Sequence, residues 1–203
     1  VVYGDTNSTL AGAIAASKLH IPIVHIEAGL RSYNKKMPEE INRILTDHVS
    51  TLLFCPNNTA IQNLNNEGIF KGVLNCGDVM EEIFFTILKE IDSKKGDPYG
   101  YMTLHRAENT DEESRLIQRI MQVSELNMHV KWSIHPRTQK QLNEFKIKIP
   151  PNIEIIDPQG YHKNIEYIKN AELIITDSGG LQKEAYWAGV PCYTLRNETE
   201  WGY

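Results

Sequence analysis

Short runs rich in β-branched and apolar residues alternate with stretches of helical period along almost the whole chain. That alternation restricts the possible folds more than any single motif. The strand-like runs are 1–3, 21–26, 51–55, 73–76, 100–104, 129–134, 153–156, 172–176 and 190–195. Between them, Ile41, Ile44, Leu45, His48 and Val49 recur at i, i+3, i+4, i+7 and i+8 after Pro38, one face of an amphipathic helix. Ile83, Phe84, Ile87, Leu88 and Ile91 repeat the pattern over 82–91. Leu116, Ile117, Ile120 and Val123 do so after Thr110-Asp111, a good helix start. Strands alternating with helices build βαβ units, and so parallel sheets with their sites at the carboxyl ends of the strands. Nine strands are many for one sheet, and Ser93-Lys94-Lys95-Gly96-Asp97-Pro98 is the best linker. Two α/β domains are therefore expected, 1–95 and 96–203. Val1-Val2-Tyr3-Gly4-Asp5 reads as the end of a buried strand, and Trp201-Gly202-Tyr203 follows a strand without a closing helix. An internal fragment, truncated at both ends, is expected.

Composition excludes several classes. Hydrophobic residues make up 41% and charged residues 23% of the 203, as in an ordinary globular protein. A net charge of -5 without any Lys/Arg cluster argues against nucleic acid. No apolar run approaches the ~20 residues that span a bilayer, and the longest, Ile21 to Ile26, is broken by Pro22. With no basic, apolar leader, a cytoplasmic address is the default. Cys55, Cys76 and Cys192 lie far apart with no Cys-x-x-Cys pair, and read as reduced, mostly buried thiols. No His/Glu spacing matches a zinc helix, so no metal or other cofactor is expected.

The residues that carry chemistry sit at strand ends. Thr176-Asp177-Ser178-Gly179-Gly180-Leu181-Gln182-Lys183-Glu184 follows Glu172-Leu173-Ile174-Ile175 and opens a helix. Two glycines let a ligand approach the backbone, and the free amides of a helix N-terminus favour an anion such as diphosphate. Ser178 adds a hydroxyl, and Glu184, about a turn and a half on, is placed to accept ribose hydroxyls. A plain strand-to-helix turn capped by Asp177 or Ser178 explains the same residues. Asp5 ends the first strand and Glu27 the second, while Glu39 and Glu40 follow Pro38 in the first turn of a helix. Singly, each carboxylate is more simply structural: an N-cap, a turn residue, a partner of the helix dipole, or for Glu39 an i, i+4 pair with Arg43. Together, Asp5 and Glu27 should enter one crevice with the Glu39 helix starting at the same edge, where mutual repulsion tunes a general acid or base. His105-Arg106 and His135-Pro136 end strands of the second domain, at the equivalent edge. They lean toward ligand binding, although a strand-end histidine is often just a hydrogen-bonding residue.

With these blocks assembled, the chain resembles the non-hydrolysing UDP-N-acetylglucosamine 2-epimerases. The matching stretches are, in order, Gly4-Asp5-Thr6, His25-Ile26-Glu27-Ala28-Gly29-Leu30-Arg31, Pro38-Glu39-Glu40-Ile41-Asn42-Arg43, His105-Arg106-Ala107-Glu108-Asn109, His135-Pro136, Thr176-Asp177-Ser178-Gly179-Gly180 and Arg196-Asn197-Glu198-Thr199-Glu200. Each is weak alone; in order and at family-like spacing they are highly specific. The closing stretch from Thr194 to Trp201 looks like relatives acting on modified substrates, such as diacetamido-glucuronic acid or deoxyhexose nucleotide sugars. The resemblance implies two Rossmann-like, doubly wound domains in the GT-B architecture with a UDP-sugar in the cleft. It also implies inversion at C2 by loss and re-addition of UDP, and a homodimeric full-length enzyme. Carried over by position, Asp5, Glu27 and Glu39 match the acid/base carboxylates, and His105 the histidine assisting the departing UDP. Ser178, Gly179, Gly180 and Glu184 match the diphosphate and ribose contacts, and Arg106 and His135 residues that touch nucleotide sugar. Asn164 departs from the family, standing where many members place a large apolar side chain near the uracil. Three alternatives stay open: a hydrolysing epimerase releasing UDP, a GT-B glycosyltransferase, and a non-catalytic UDP-sugar-binding remnant. The glycosyltransferase would need an acceptor and has no use for three acid/base carboxylates.

Overall fold

A computed structural model describes residues 1–92 and 96–196, so part of the expected linker (93–95) and the closing stretch 197–203 lie outside the described residues. The elements run β1 (Val2–Tyr3), α1 (Asn7–Lys18), β2 (Val24–Ile26), α2 (Pro38–Val49), β3 (Leu52–Cys55), α3 (Asn58–Asn66), β4 (Val73–Asn75) and α4 (Val79–Glu90). They continue with β5 (Tyr99–Thr103), α5 (Ala107–Thr110), α6 (Glu113–Ser124), β6 (His129–Ser133), α7 (Pro136–Phe145), β7 (Ile153–Ile156), α8 (Tyr161–Asn170), β8 (Leu173–Thr176), α9 (Gly179–Ala188) and β9 (Cys192–Thr194). Each strand-like run of the sequence overlaps one of these strands, and β5 begins one residue earlier than expected.

The chain divides into two compact units, one from Val1 to Glu82 and another beginning at Ile83. The first holds a parallel sheet in the order β1-β2-β3-β4, the second a parallel sheet in the order β7-β6-β5-β8-β9. The reversal of strand order that marks a doubly wound sheet falls between β5 and β8, where ligands bind in open α/β sheets. The division lies ahead of the expected 95/96 boundary because α4 carries its apolar face into the second unit. There Phe84 and Ile91 are buried with Tyr99, Tyr101, Ile165 and Ile174. The opposite face of that sheet buries Trp132, Met102 and Val130 against Leu116, Ile120 and Val123 of α6.

Two expectations about burial are corrected. On α2 the buried residues are Glu40, Asn42, Arg43, Thr46 and Asp47, whereas Ile41 and Leu45 are each 43% exposed. The polar face turns inward because partners from elsewhere in the first unit meet most of its groups. Of the three free cysteines, only Cys55 is buried; Cys76, just past β4, and Cys192, opening the edge strand β9, are exposed. Among the described residues no helix is long and apolar enough to cross a membrane.

Candidate active site

In the first unit Asp5 and Glu27 leave adjacent strands, β1 and β2. Gly4 has φ +65°, and a Cβ added there would lie 3.5 Å from Glu27 Oε2, so the Glu27 carboxylate folds over the residue preceding Asp5. Glu27 itself has φ +72°, a left-handed conformation for a side chain with a Cβ. Such strain of order 1–3 kcal/mol clusters at functional sites. Burial raises the pKa of the Tyr3 phenol, and the charges of Glu27, Asp78 and Asp5 raise it further, which places a third carboxylate, Asp78, in the same neighbourhood. Gly29, at φ +82°, cannot be replaced because a Cβ would collide with the Ala60 carbonyl. Glu39 opens α2 half-buried, and among the described residues its carboxylate has no hydrogen bond or ion pair.

The expected pair of Glu39 with Arg43 does not form. Arg43 Nη1 instead donates to Glu40 Oε2 at 2.7 Å, while its Nε (3.1 Å) and Nη2 (2.9 Å) both donate to Asp5 Oδ2. Behind them, Asp47 is 1% exposed. It accepts from the Gly29 amide at 3.1 Å and Arg31 Nη1 at 2.7 Å, and lies 2.6 Å from His25 Nδ1. The charges of Arg31, Glu40 and Arg43 are therefore scaffold.

In the second unit the switch point carries a cavity of about 270 Å³. Of the residues expected to bind, His105, His135, Ser178, Gly180 and Glu184 line it, and Asn164 stands on its wall; Arg106 and Gly179 are not among its lining. Ser178 caps α9, its Oγ accepting from the Leu181 amide at 3.4 Å. Gly179 and Gly180 open the helix, and a Cβ on Gly180 would meet only Ser178 Oγ, at 3.8 Å, so the floor there is bare backbone. The rings of His105 and His135 lie 5.7 Å apart. Desolvation lowers the pKa of His105, with His135, Arg106 and Arg137 acting the same way against the pull of Asp177. Burial pushes the Glu184 carboxyl up to about 7, opposed by the Tyr161 hydroxyl and the Lys183 ammonium. Asn164 Oδ1 accepts from Tyr101 Oη at 2.6 Å, which fixes its amide and leaves its NH2 for the cavity.

The sequence offers Asp177 as a possible helix cap and as part of a matching stretch, with no role of its own. It is fully buried and reaches across the switch point instead. It accepts from the amides of His105 (3.2 Å) and Arg106 (2.9 Å) and from Asn109 Nδ2 (3.1 Å), while its carbonyl takes Arg106 Nε at 2.9 Å. It thus sets the backbone at His105 and one nitrogen of Arg106. The only signal was its place between Thr176 and Ser178, where Ser178 already supplies the cap. Among the described residues no group of three or more His, Cys, Asp or Glu side chains is arranged to hold a metal ion.

The comparisons with known proteins agree along the chain. A family model described as UDP-N-acetylglucosamine 2-epimerase matches residues 1–202. The chain is 51% identical to a UDP-N-acetylglucosamine 2-epimerase homolog of Methanococcus maripaludis, covering 99% of this chain and 60% of the relative. It is 49% identical to the UDP-2,3-diacetamido-2,3-dideoxy-D-glucuronate 2-epimerase of Pseudomonas aeruginosa, covering 99% of this chain and 59% of the relative. The crystal structure of Methanocaldococcus jannaschii UDP-GlcNAc 2-epimerase in complex with UDP-GlcNAc and UDP superposes with a TM-score of 0.90 at 46% identity, over 98% of this chain and 60% of that one. The chain spans about 60% of the length of the curated relatives it matches. By the match across 1–202, the chain belongs to the UDP-N-acetylglucosamine 2-epimerase family.

Proposed function

We propose that the protein is a nucleotide-sugar 2-epimerase. In this reading it interconverts UDP-N-acetylglucosamine, or a modified UDP-HexNAc, with its C2 epimer by eliminating and re-adding UDP. The observation that carries this is the pair of carboxylates at neighbouring strand ends, Glu27 held in a left-handed conformation and folded toward Asp5. A C2 hydrogen with no adjacent carbonyl is a poor acid, so its removal must accompany loss of a good leaving group. Asp5, Glu27 and Glu39 serve as the acid/base set on C2. One takes the proton as the C1–O bond to UDP breaks, giving a 2-acetamidoglucal, and another returns a proton to the opposite face as UDP re-adds. Stabilising the departing diphosphate falls to the second unit. The N-terminus of α9 at Ser178, Gly179 and Gly180 offers free amides, and neutral His105 with Arg106 and His135 supplies donors. Glu184 takes the ribose hydroxyls. Cytoplasmic placement and a homodimer belong to the same proposal and rest on the family alone.

The test is to incubate the full-length protein with UDP-N-acetylglucosamine and follow the anomeric proton signals by NMR. A second UDP-sugar anomeric signal supports the reading. Free UDP with a free sugar shows the hydrolysing reaction instead, and no change with this or a diacetamido-glucuronate nucleotide contradicts it. Chelation should leave the rate unchanged, since no step uses a metal; activity lost to chelator and restored by a divalent ion would contradict that.

Glu184 makes a second prediction. Only its ionised form accepts two ribose hydroxyls well, so UDP affinity should rise between pH 6 and pH 8 as the carboxyl titrates near 7. Calorimetric comparison with Glu184→Gln separates this carboxylate from the titration of UDP itself, and Glu184→Ala should weaken binding by about 1–3 kcal/mol. Parallel pH curves for parent and Gln variant would remove Glu184 from the site. For the free protein the sign follows from the raised pKa. The group's contribution is fully present below the ordinary value of 4.5 and is lost as pH rises through about 7.

A further inference from the structure

We infer that Arg43 is a positioning residue for proton transfer, fixing which oxygen of Asp5 meets the substrate; the inference rests on the epimerase reading above. Arg43 is 1% exposed, and its guanidinium is divided between two carboxylates. Nε and Nη2 both donate to Oδ2 of Asp5, and Nη1 donates to Oε2 of Glu40. No other donor to the Asp5 side chain exists among the described residues, so Oδ1 alone is left open. The main chain of Asp5 is pinned as well, its carbonyl accepting from Asn42 Nδ2 at 2.9 Å.

The far side of the guanidinium is equally fixed. Glu40 is fully buried and accepts from the amides of Ser32 (2.9 Å) and Tyr33 (2.8 Å). Arg43 therefore ties the end of β1 to the segment after β2 through the first turn of α2, the turn that carries Glu39. Among the described residues the Glu39 carboxylate has no partner. Asp5 and the turn that carries Glu39 thus share one frame, whose centre is Arg43. Only a planar fork can donate along two edges in fixed directions; an ammonium on the same stem would keep the charge and lose the geometry. A misplacement of 1 Å at a reacting group costs about 10²-fold. The guanidinium touches no reacting atom and acts through Asp5.

A double-mutant cycle on the full-length protein separates this role from a merely structural one. Arg43→Lys is expected to lower kcat for epimerisation about 10–100-fold, with KM and UDP affinity within about twofold. Asp5→Asn is expected to lower kcat roughly 10²–10⁴-fold. In the Asp5→Asn background, Arg43→Lys should cost no more than about twofold further, because its effect runs through the missing carboxylate. Losses that multiply across the two sites, with melting temperatures unchanged, would overturn the inference and leave the epimerase reading standing. An Asp5→Asn variant that turns over normally would overturn the acid/base reading of Asp5, and the inference with it. Should Arg43→Lys fail to fold, Glu40→Gln loosens the same guanidinium without touching Asp5. It is expected to show the same loss in kcat alone, abolished by Asp5→Asn, and a loss that persists there overturns the inference.

Discussion

Glu27→Gln is expected to slow epimerisation by roughly 10²–10⁴-fold, the contribution of a positioned general acid or base. UDP affinity should change little, because the nucleotide contacts proposed above belong to the other unit. The substitution keeps the shape of the side chain and removes only its ability to exchange a proton. Its left-handed backbone at φ +72° is retained, so any relief of strain is the same in parent and variant. Glu39→Gln should behave alike, since its carboxylate has no partner among the described residues to lose. Steady-state kinetics and calorimetry with UDP check both. A variant of Glu27 with parental kcat would remove it from the chemistry.

Asp47→Ala is expected to cost about 3–5 kcal/mol of unfolding free energy, the scale for removing one partner of a buried ion pair. The carboxylate lies 2.6 Å from His25 Nδ1 and 2.7 Å from Arg31 Nη1, with all three side chains inaccessible to solvent. The other ring nitrogen of His25 is taken by the Gly4 carbonyl at 2.9 Å, so the imidazole bridges the strand end that carries Asp5 to α2. Arg31 keeps Glu67, at 2.6 and 2.8 Å, but the Gly29 amide and one edge of the imidazole lose their acceptor. Urea denaturation of parent, Asp47→Asn and Asp47→Ala measures the cost. A loss below about 1 kcal/mol for the Ala variant would show that water replaces the carboxylate and that the network is not what holds the stretch from His25 to Arg43.

The pattern of strands was legible because β-branched runs and helical periods are local properties of the chain. Residues 129–134 and 153–156 announce β6 and β7 without reference to anything distant. The orientation of α2 was not legible. Its positions 41, 44, 45, 48 and 49, apolar except for His48, satisfy the period of an amphipathic helix. The opposite face is buried because Asp5, Ser32, Tyr33 and Arg31 arrive to satisfy Arg43, Glu40 and Asp47. Those partners are 7 to 38 residues away in sequence, and no periodicity records them. Asp177 was missed for the same reason, its acceptor atoms being used by amides about 70 residues earlier. The cavity residues fared better: strand ends locate His105, His135 and Ser178, and the Gly-Gly turn locates the start of α9. Chemistry placed by strand register can be read from the sequence, while chemistry placed by buried polar partners needs the fold.

The most direct test of the epimerase reading is turnover of the UDP-HexNAc substrate by the full-length protein in deuterium oxide. If Asp5, Glu27 and Glu39 remove and return the C2 proton, the epimeric product carries deuterium at C2 while UDP stays with the sugar at equilibrium. Oxidation and re-reduction at C4, or transfer of the sugar to an acceptor, would leave C2 unlabelled. Product that retains its original C2 hydrogen through many turnovers would contradict the account.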